Sequence, residues 1–407
     1  MNYILRKTDF PKYSFKEWEA DLSDGTFFGI AGADGASPAF SAVALTQANV
    51  PASAQGIYFT KNGNLYLLSD GTLYRSTRAV NNFFEYAVGF SSSPCFIEVC
   101  EDGEDYAMVT DGVKAFKGDA TSISPVATIP IKLGAVMYSR VFGVDTADGR
   151  VVRWSVPGRA RNWTESLDGA GYVRLDAERG EVLTLVVFKE RLIAVRKFGL
   201  TVIRAYGDAE DFRVSLSDTT TDEITDGTAA VCAGKLFFFT KSGLYAYGGT
   251  SVERFAAEGL RGFTATCGAA CGSTYYAAGT LDGEGVIACI DGESGAVCYI
   301  KKQASCICAC GRVFFFSDGL YEIVPKAVGG VWASGFTDLG SAGKKYLKRL
   351  YVGGNCQKIT VRSDGKVRVC DVIDGRAEVN LQGERFTFEA ECSELPEYLK
   401  VVFLKRR

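Results

Sequence analysis

The sequence predicts an all-β protein built around a β-propeller, because composition, turn chemistry and an internal repeat all point to that fold. The 407 residues include 46 Gly and only 9 Pro, with 27 Phe and 19 Tyr. Aromatic residues favour strands, and glycine favours the tight turns between them. The long Leu-, Ala-, Glu- and Lys-rich periodic stretches of helical proteins are mostly missing. Many short strands joined by glycine turns are therefore expected.

A unit of two strands and a glycine-containing turn recurs along the middle of the chain. The clearest copies begin at Gly63 (GNLYLLSDGTLY), Gly234 (GKLFFFTKSGLY) and Gly311 (GRVFFFSDGLY). Looser copies begin near Glu104, Arg140, Arg191 and Ser273. The mean spacing is about 41 residues, within the ~40–50-residue period of propeller blades. We therefore predict about seven blades, with a range of six to eight, over residues 51–335.

Burial explains why such a unit has to be repeated. Its first strand, LFFF at 236–239 or VFFF at 313–316, is a nearly continuous apolar run. Such a run is typical of a strand that is buried on both faces. One hairpin is marginally stable in water, and stacking gives each apolar face a partner. A β-sandwich or a solenoid remains as the alternative fold.

The two ends of the chain lack the repeat. Residues 14–17 (SFKE) fit a helix capping box, and the apolar residues around Trp18 have helical spacing. Residues 1–50 are therefore predicted as an N-terminal arm with one short helix, which either reaches a neighbouring molecule or packs on the propeller. Residues 336–407 contain short alternating strands that predict a C-terminal β-sandwich.

The sequence contains no His, and this excludes several kinds of catalytic site. A Ser-His-Asp or Cys-His nucleophile system, a His-ligated metal and an imidazole proton shuttle are impossible. Segments 69–74 and 317–321 weakly resemble the Asp box of sialidase propellers, which is a turn device. The acidic residues that fall at turns are explained by Asx-type hydrogen bonding; they are Asp70, Asp111, Asp148, Asp282, Asp291 and Asp318. No catalytic residue and no cofactor are predicted.

The 13 cysteines are predicted to be reduced thiols, because their number is odd and residues 1–21 do not resemble a signal peptide. Cys306, Cys308 and Cys310 alternate along one segment, so they share one face of a strand. We interpret them as small core side chains. A thiolate metal site that combines them with Cys267 and Cys271 is the alternative, although the spacing is not C-x-x-C.

The charge is distributed unevenly along the chain. The formal net charge is −3, which argues against a strongly basic surface overall. Residues 340–407 hold 14 Lys and Arg against 9 Asp and Glu, so their net charge is +5 and that of the remainder is −8. The basic clusters at 344–349 and 405–407 are predicted either to meet an acidic surface or passing nucleic acid, or to be a solvated face.

The unit that begins at Arg140 is the longest, and its insertion holds two Trp and a polar stretch at 157–162. On the rim of a ring, aromatic and Arg side chains suit a contact surface. Alternatively, the two Trp simply attach a long loop to its blade. The candidate contact residues are Trp154, Arg159, Arg161, Trp163, Trp18, Lys344, Lys345, Lys348 and Arg349.

The segment RWSVPG at 153–158, followed by Trp163 and the Gly-rich stretch at 168–171, resembles a class of tailed-bacteriophage virion propellers. These include tail nozzle, tail hub and head-stabilisation proteins. The run at 180–203 is similar to them too, and residues 337–348 resemble the entry to their appended sandwich. In organisation, the resemblance covers residues 55–407.

The resemblance implies a non-enzymatic structural virion protein that is made in the host bacterial cytoplasm. Copies would form a closed ring in the neck or tail through heterologous contacts, together with other virion proteins. Basic residues would line a channel for passing DNA, and no membrane partner is expected. One alternative is a glycan-binding or glycan-cleaving propeller. The other is a WD40-like interaction scaffold, although the best WD-type dipeptides are absent.

Overall fold

The structure is a computed structural model, and its description omits some segments of the chain. The described residues are 15–21, 25–29, 40–42, 51–61, 63–76, 80, 82–90, 94–101, 103–118, 123–127, 129–166, 169–216, 219–295, 297–323, 330–334, 336–340, 342–392 and 398–406. The chain divides into two compact units. The first unit comprises residues 40–296 and 302–324, and the second comprises 1–39, 297–301 and 325–407.

The described residues of the first unit form six four-stranded antiparallel sheets and one group of three antiparallel strands, and we number these as blades 1 to 7. The strands of blade 1 are Gly56–Phe59, Leu65–Ser69, Thr72–Ser76 and Phe83–Val88; those of blade 2 are Cys95–Glu101, Glu104–Thr110, Ala115–Gly118 and Ile123–Val126; those of blade 3 are Ile131–Met137, Arg140–Asp145, Val151–Trp154 and Gly171–Arg174.

The remaining sheets of this unit follow in chain order. The strands of blade 4 are Val182–Phe188, Arg191–Arg196, Gly199–Arg204 and Arg213–Leu216; those of blade 5 are Ala230–Cys232, Lys235–Thr240, Gly243–Tyr247 and Val252–Arg254; those of blade 6 are Phe263–Cys271, Thr274–Leu281 and Glu284–Asp291; those of blade 7 are Cys306–Ala309, Val313–Phe316, Leu320–Ile323 and Phe40–Ala42. Two 3-10 turns, Ala209–Asp211 and Glu258–Leu260, lie between strands.

Apolar clusters lie between consecutive blades and hold them together. Phe142 of blade 3 and Leu192 of blade 4 belong to one such cluster, and the rings of Phe239 and Phe263 join blades 5 and 6. A further cluster contains side chains of both blade 7 and blade 1. Since the last blade packs on the first, the stack closes into a ring, and the predicted β-propeller is confirmed.

The repeat seen in the sequence corresponds to the second and third strands of a blade. The LFFF run of blade 5 and the VFFF run of blade 7 are buried almost completely. Each second strand is therefore packed on both faces, as its continuous apolar sequence predicts. In blade 1 the hairpin turn uses Asp70 and Gly71, both in the left-handed region of backbone space. This is the conformation that a two-residue hairpin loop requires.

Within residues 1–50, which were predicted as an arm, the described stretches are paired strands. The backbone of Phe40–Ala42 pairs antiparallel with Leu320–Ile323, so it forms the outer strand of blade 7. A strand from the beginning of the chain thus completes the last sheet of the ring. The sequence hides this role because three residues are too few to show a period.

The predicted helix around Trp18 is wrong. Phe15–Asp21 is a strand that pairs antiparallel with Tyr398–Arg406 over its whole length, and Trp18 lies opposite Phe403. A backbone ladder to a distant strand satisfies every second N–H and C=O of this segment, and such tertiary pairing overrides weak local helix signals. Ser14, the first residue of the proposed capping box, lies outside the described residues.

The second unit is a two-sheet sandwich, as the fold prediction for the C-terminal region states. One sheet contains, in order, Phe15–Asp21, Tyr398–Arg406, Lys345–Gly353 and Arg376–Gly383; the other contains Val297–Ile300, Gly25–Gly29, Gly330–Ser334, Thr387–Cys392, Cys356–Ser363 and Lys366–Asp371. Side chains of both sheets, such as Val401 and Phe388, share one buried cluster. The sandwich thus also uses segments that the sequence assigned to the arm and the propeller.

Cys356 and Cys392 are joined by a disulfide, which corrects the expectation that all 13 thiols are reduced. The two residues lie opposite each other on neighbouring strands of the sandwich. Their pairing depends on strand register, which the spacing of 36 residues does not reveal. The other eleven cysteines are free thiols.

Proline at both Phe40 and Ser41 is expected to weaken the closure of the ring. Along a paired strand, alternate residues point their N–H to the partner, so one of these two positions loses a ladder hydrogen bond. We expect the thermal midpoint to fall by several degrees, at about 2–4 °C per kcal/mol. Proline at Val252 and Glu253, in the outer strand of blade 5, is the matched control. An equal loss in both variants, measured by calorimetry, would contradict a special role in closure.

Candidate interaction surface

The long insertion of blade 3 is held close to the first turn of that blade. The buried Arg140 donates through Nη1 to the carbonyl oxygens of Ser155, at 3.0 Å, and Gly169, at 2.6 Å. The backbone N–H of Gly158 donates a hydrogen bond to the carbonyl oxygen of Ser139, at 2.7 Å. Consecutive strands of a blade are antiparallel, so the turn at 138–139 and the insertion lie at the same strand ends.

The same end of the propeller carries the corresponding turns of blade 4. Residues 189–190 join its first two strands, and residues 205–212 join its last two. We call the surface formed by 138–139, 156–163, 189–190 and 205–212 the turn face.

Trp154 lies in the core rather than on the turn face. Its side chain is 7% exposed and packs against Phe142 and Phe212, with ring centroids at 6.3 Å and 5.1 Å. A Cβ atom at Gly171 would lie 2.7 Å from the Trp154 ring, so this ring occupies the space that a side chain at 171 would need. The half-buried Trp163 packs on the cluster between blades 2 and 3. Both Trp therefore attach the insertion to the fold.

The two arginines of the insertion are accessible. Arg159 is exposed. Arg161 is half-exposed, and its Nε lies 3.5 Å from a carboxylate oxygen of Glu101. Glu101 also accepts a hydrogen bond from the Tyr106 hydroxyl, at 2.6 Å.

The candidate residues of the second unit differ in exposure. Lys344 is exposed, whereas Lys345 is 1% exposed and donates through Nζ to the carbonyl oxygens of Gly343 and Glu384, at 2.8 and 3.1 Å. Lys345 thus secures the start of its strand instead of offering a charge to a partner.

Three further candidate residues of this unit remain. Lys348 and Arg349 are partly buried, and Arg349 donates to the Tyr351 hydroxyl at 3.3 Å. The side chain of Trp18 lies outside the described residues, as does that of Arg407.

A cleft of 530 Å³ opens on the turn face between blades 3 and 4. We call it the tyrosine cleft, and it is lined by Tyr138, Lys189, Glu190, Arg191, Arg204, Ala205 and Tyr206. The rings of Tyr138 and Tyr206 meet edge to face with centroids 5.5 Å apart. Tyr206 is 77% exposed and Tyr138 41% exposed. Paired accessible tyrosines beside arginine are typical of binding surfaces.

The turns that frame the tyrosine cleft are strained. Tyr138 and Ser139 have φ of 48° and 59°, and Lys189 and Glu190 have φ of 48° and 57°. Hairpin loops of this kind favour Asn and Gly, whereas a bulky residue in the left-handed region costs roughly 1–2 kcal/mol. Such strain is concentrated at functional sites. Four of the twelve described non-Gly residues with a left-handed backbone therefore lie in the two turns that frame the cleft.

Hydrogen bonding in the cleft leaves donors in excess. Lys189 donates to the carbonyl of Gly248 at 2.6 Å, and Arg191 donates to that of Gly249 at 3.3 Å. Arg204 is exposed and forms no ion pair within the described part of the chain. Glu190 is the single carboxylate of the lining, so the cleft carries a net charge of +2. An acceptor-rich ligand fits this arrangement.

By contrast, several carboxylates at the strand ends opposite the turn face already accept hydrogen bonds. The Asp111 carboxylate accepts hydrogen bonds from the backbone N–H groups of Val113 and Lys114. The Asp148 carboxylate accepts one from the backbone N–H of Arg150. Asp291 accepts a hydrogen bond from the backbone N–H of Ser294 in the same way, although it ends the third strand of blade 6 and therefore lies at the same strand ends as the turn face. Asp70 and Asp282 occupy left-handed turn positions. The predicted Asx-type hydrogen bonding is therefore confirmed for Asp111, Asp148 and Asp291, whereas Asp70 and Asp282 are shown only to be turn residues.

Asp318 is the sixth acid of this set, and it forms a charged pair. It accepts hydrogen bonds from Lys302 and the Tyr321 hydroxyl, each at 2.9 Å. These two partners lower the pKa of Asp318 to about 2. A carboxylate held in its ionised form in this way is not suited to act as a general acid.

The thiols lie mainly at the junctions between blades. Cys95 contacts the carbonyl of Gly134 in the next blade at 3.7 Å, and Cys232 contacts that of Gly272 at 3.8 Å. Cys306 contacts the carbonyl of Ala54, next to blade 1, at 3.9 Å. Cys306, Cys308 and Cys310 share one apolar cluster, as interpreted from their alternation. Across the described residues, no cluster of three or more Cys, Asp or Glu is arranged to hold a metal ion.

Tyr138, Tyr206 and Arg204 are candidate site residues that were not predicted from the sequence. A signal for Tyr138 exists, because MYSR at 137–140 places an aromatic residue where a hairpin turn normally has Asn or Gly. Tyr206 and Arg204 carry no such signal, since their neighbourhood depends on how blades 3 and 4 stack. Among the residues that the structure describes, no helix has the length and apolar character needed to cross a membrane.

Comparisons with known proteins report the fold alone. No protein-family model and no curated protein matches the chain. The extracellular domain of the putative one-component system BT4673 from B. thetaiotaomicron is 11% identical with a TM-score of 0.50, covering 89% of this chain and 58% of that chain. YCF48 bound to D1 peptide is 12% identical (TM-score 0.48; 73% of this chain, 100% of that chain). The RRP9 WD40 repeats are 13% identical (TM-score 0.48; 70% and 99%). This chain is thus similar to proteins with a propeller fold.

Trp154→Ala is expected to destabilise the fold by about 3–5 kcal/mol, because it leaves a large cavity between blades 3 and 4. Trp154→Phe is the matched control. The indole Nε1–H of Trp154 is buried and has no hydrogen-bond partner among the described residues, so its removal sacrifices no bond. In urea unfolding, the free energy of unfolding of Trp154→Phe should therefore lie much closer to the wild-type value than that of Trp154→Ala. Similar losses in the two variants would contradict this packing role.

Stability is expected to fall as the pH rises above 9. Burial raises the pKa of the Cys306 thiol from 9.0 to about 12 and raises that of Cys308 as well. An unfolded chain ionises both thiols near pH 9, whereas the folded chain keeps them protonated, so the unfolded state gains about 1.4 kcal/mol per thiol by pH 10. Urea titrations of the wild type and of Cys306→Ala at pH 8 and pH 10 measure the effect. Identical pH slopes in both proteins would reject it.

Proposed function

We propose that this chain is a non-enzymatic structural protein that acts through protein–protein contacts made by the turn face. The observation that carries the proposal is the tyrosine cleft, in which accessible tyrosines and cations stand on strained turns between two rigid blades. The strained turns favour a partner that binds at this site, and so does the excess of hydrogen-bond donors in the cleft. Arg159 extends the same surface.

The finer proposal is a component of the neck or tail of a tailed phage or prophage. Its support is the resemblance of residues 153–171, 180–203 and 337–348 to virion propellers. A propeller held by apolar packing between all its blades suits a rigid block in such a particle. The exposed Lys344 and the partly buried Lys348 and Arg349 offer positive charge to an acidic neighbour or to passing DNA.

A glycan ligand has weaker support. Sugar hydroxyls donate as well as accept hydrogen bonds, whereas the tyrosine cleft offers several donors and one carboxylate. The two tyrosines also meet edge to face, so they do not form one flat stacking platform. A glycan array with saturable binding that Tyr206→Ala abolishes would replace the protein-binding proposal.

The assembly role is tested with particles from a culture that produces the chain. Immunogold labelling should place the protein at the neck or tail. The variant with Tyr206→Ala and Arg204→Glu should be incorporated at least 10-fold less, because loss of an interface hot spot costs about 2 kcal/mol or more. Lys241→Glu is the matched control, since it reverses an exposed charge at the opposite strand ends. Labelling absent from particles, or equal incorporation of both variants, would reject the proposal.

A further inference from the structure

An acidic turn stands next to the cationic tyrosine cleft on the turn face. The last loop of blade 4 continues from Tyr206 through Asp208 to the 3-10 turn Ala209–Asp211. Asp208, Glu210 and Asp211 are exposed. Glu210 and Asp211 form no ion pair within the described part of the chain. Arg213, the nearest cation in sequence, donates to the backbone oxygens of Glu210 and Phe212 instead.

The acidic turn is anchored to the hydrophobic core by the residue that follows it, Phe212. Phe212 packs against Trp154 and Phe142, with ring centroids at 5.1 and 6.0 Å. The Arg140 guanidinium lies over the same Phe212 ring at 5.6 Å. The loop is therefore anchored to the core between blades 3 and 4, and it presents its carboxylates from a fixed position. A pre-positioned group loses little conformational entropy when it binds.

Two opposite charges thus lie side by side, and neither neutralises the other within one molecule. The cleft contributes Lys189, Arg191 and Arg204 against a single carboxylate. The turn contributes Glu210 and Asp211, while its third carboxylate, Asp208, interacts with the buried Arg140. In the chain, Tyr206 stands between Arg204 of the cleft and Asp208 of the acidic turn, and it exposes 77% of its surface. A two-fold rotation near Tyr206 would bring the cleft of one copy opposite the acidic turn of another, and the reverse at the same time. Such a self-complementary patch is what an isologous interface requires.

We propose that a second copy of this chain docks on the tyrosine cleft through its acidic turn, in a two-fold contact that places both charge pairs face to face. The inference rests on the proposed function, since it names a partner for the same surface. Arg204 forms no ion pair within the described residues, and its guanidinium supplies donors that pair well with carboxylates. Tyr206 of each copy would be buried at the centre, where aromatic side chains contribute most to binding. The contact closes on itself and is therefore distinct from the heterologous contacts of a ring.

A reciprocal charge exchange tests this contact in the full-length chain. The cleft variant carries Lys189→Glu and Arg204→Glu, and the turn variant carries Glu210→Lys and Asp211→Lys. In analytical ultracentrifugation at up to about 100 μM, the wild type should be a dimer, because this concentration lies well above a dissociation constant of about 1 μM, which corresponds to about 8 kcal/mol of binding free energy. Each variant alone should be monomeric, with a dissociation constant raised at least 30-fold. An equimolar mixture of the two should dimerise again, since both contacts are then complementary.

The controls separate this contact from folding and from the proposed function. Lys241→Glu should dimerise like the wild type, and circular dichroism checks that every variant is folded. A monomeric wild type, dimeric variants, or a mixture that stays monomeric each overturn the inference. If the wild type is monomeric while the Tyr206→Ala and Arg204→Glu variant is still lost from particles, the proposed function stands without the dimer. If dimers form but no particle is labelled, only the proposed function fails.

Discussion

The fold depends on apolar packing between neighbouring blades. Each second strand is buried on both faces, as LFFF in blade 5 and VFFF in blade 7 show, and so each blade needs a neighbour on either side. No blade can be stable by itself, because one hairpin or small sheet buries too little. The ring satisfies this need at every position only when it closes, and the cluster that contains Leu65 and Phe314 closes it. The strand Phe40–Ala42 adds a backbone ladder at blade 7.

The position of the candidate surface follows from that packing. Because blades 3 and 4 stack through Phe142 and Leu192, the turns at 138–139 and 189–190 come together at one end of the propeller. The same cluster anchors Trp154, and through it the insertion and the loop that ends at Phe212. A contact surface is thus presented by a rigid base instead of by flexible loops, which reduces the entropy lost on binding.

Many charged side chains at the strand ends are engaged, whereas a few on the turn face are not. Carboxylates such as Asp111 and Asp318 are occupied by turn hydrogen bonds or by a cation, and these interactions stabilise the fold. On the turn face, Arg204 and Glu210 are left without ion-pair partners in the described part of the chain. Charges that are already paired gain little from a partner, whereas unpaired charges near aromatic side chains gain both steering and specificity. This difference is the physical basis for assigning binding to the turn face.

The repeat, the hairpins and the sandwich strands could be predicted from the sequence, because they depend on local periodicity and on turn residues such as Asp70 and Gly71. The sequence also indicated that Cys306, Cys308 and Cys310 are core side chains, since alternation defines a strand face. Tertiary structure decided the rest. Phe15–Asp21 became a strand only because Tyr398–Arg406 offers it a hydrogen-bonding partner far along the chain. The tyrosine cleft likewise unites residues of two blades, and no local pattern records which strands lie side by side.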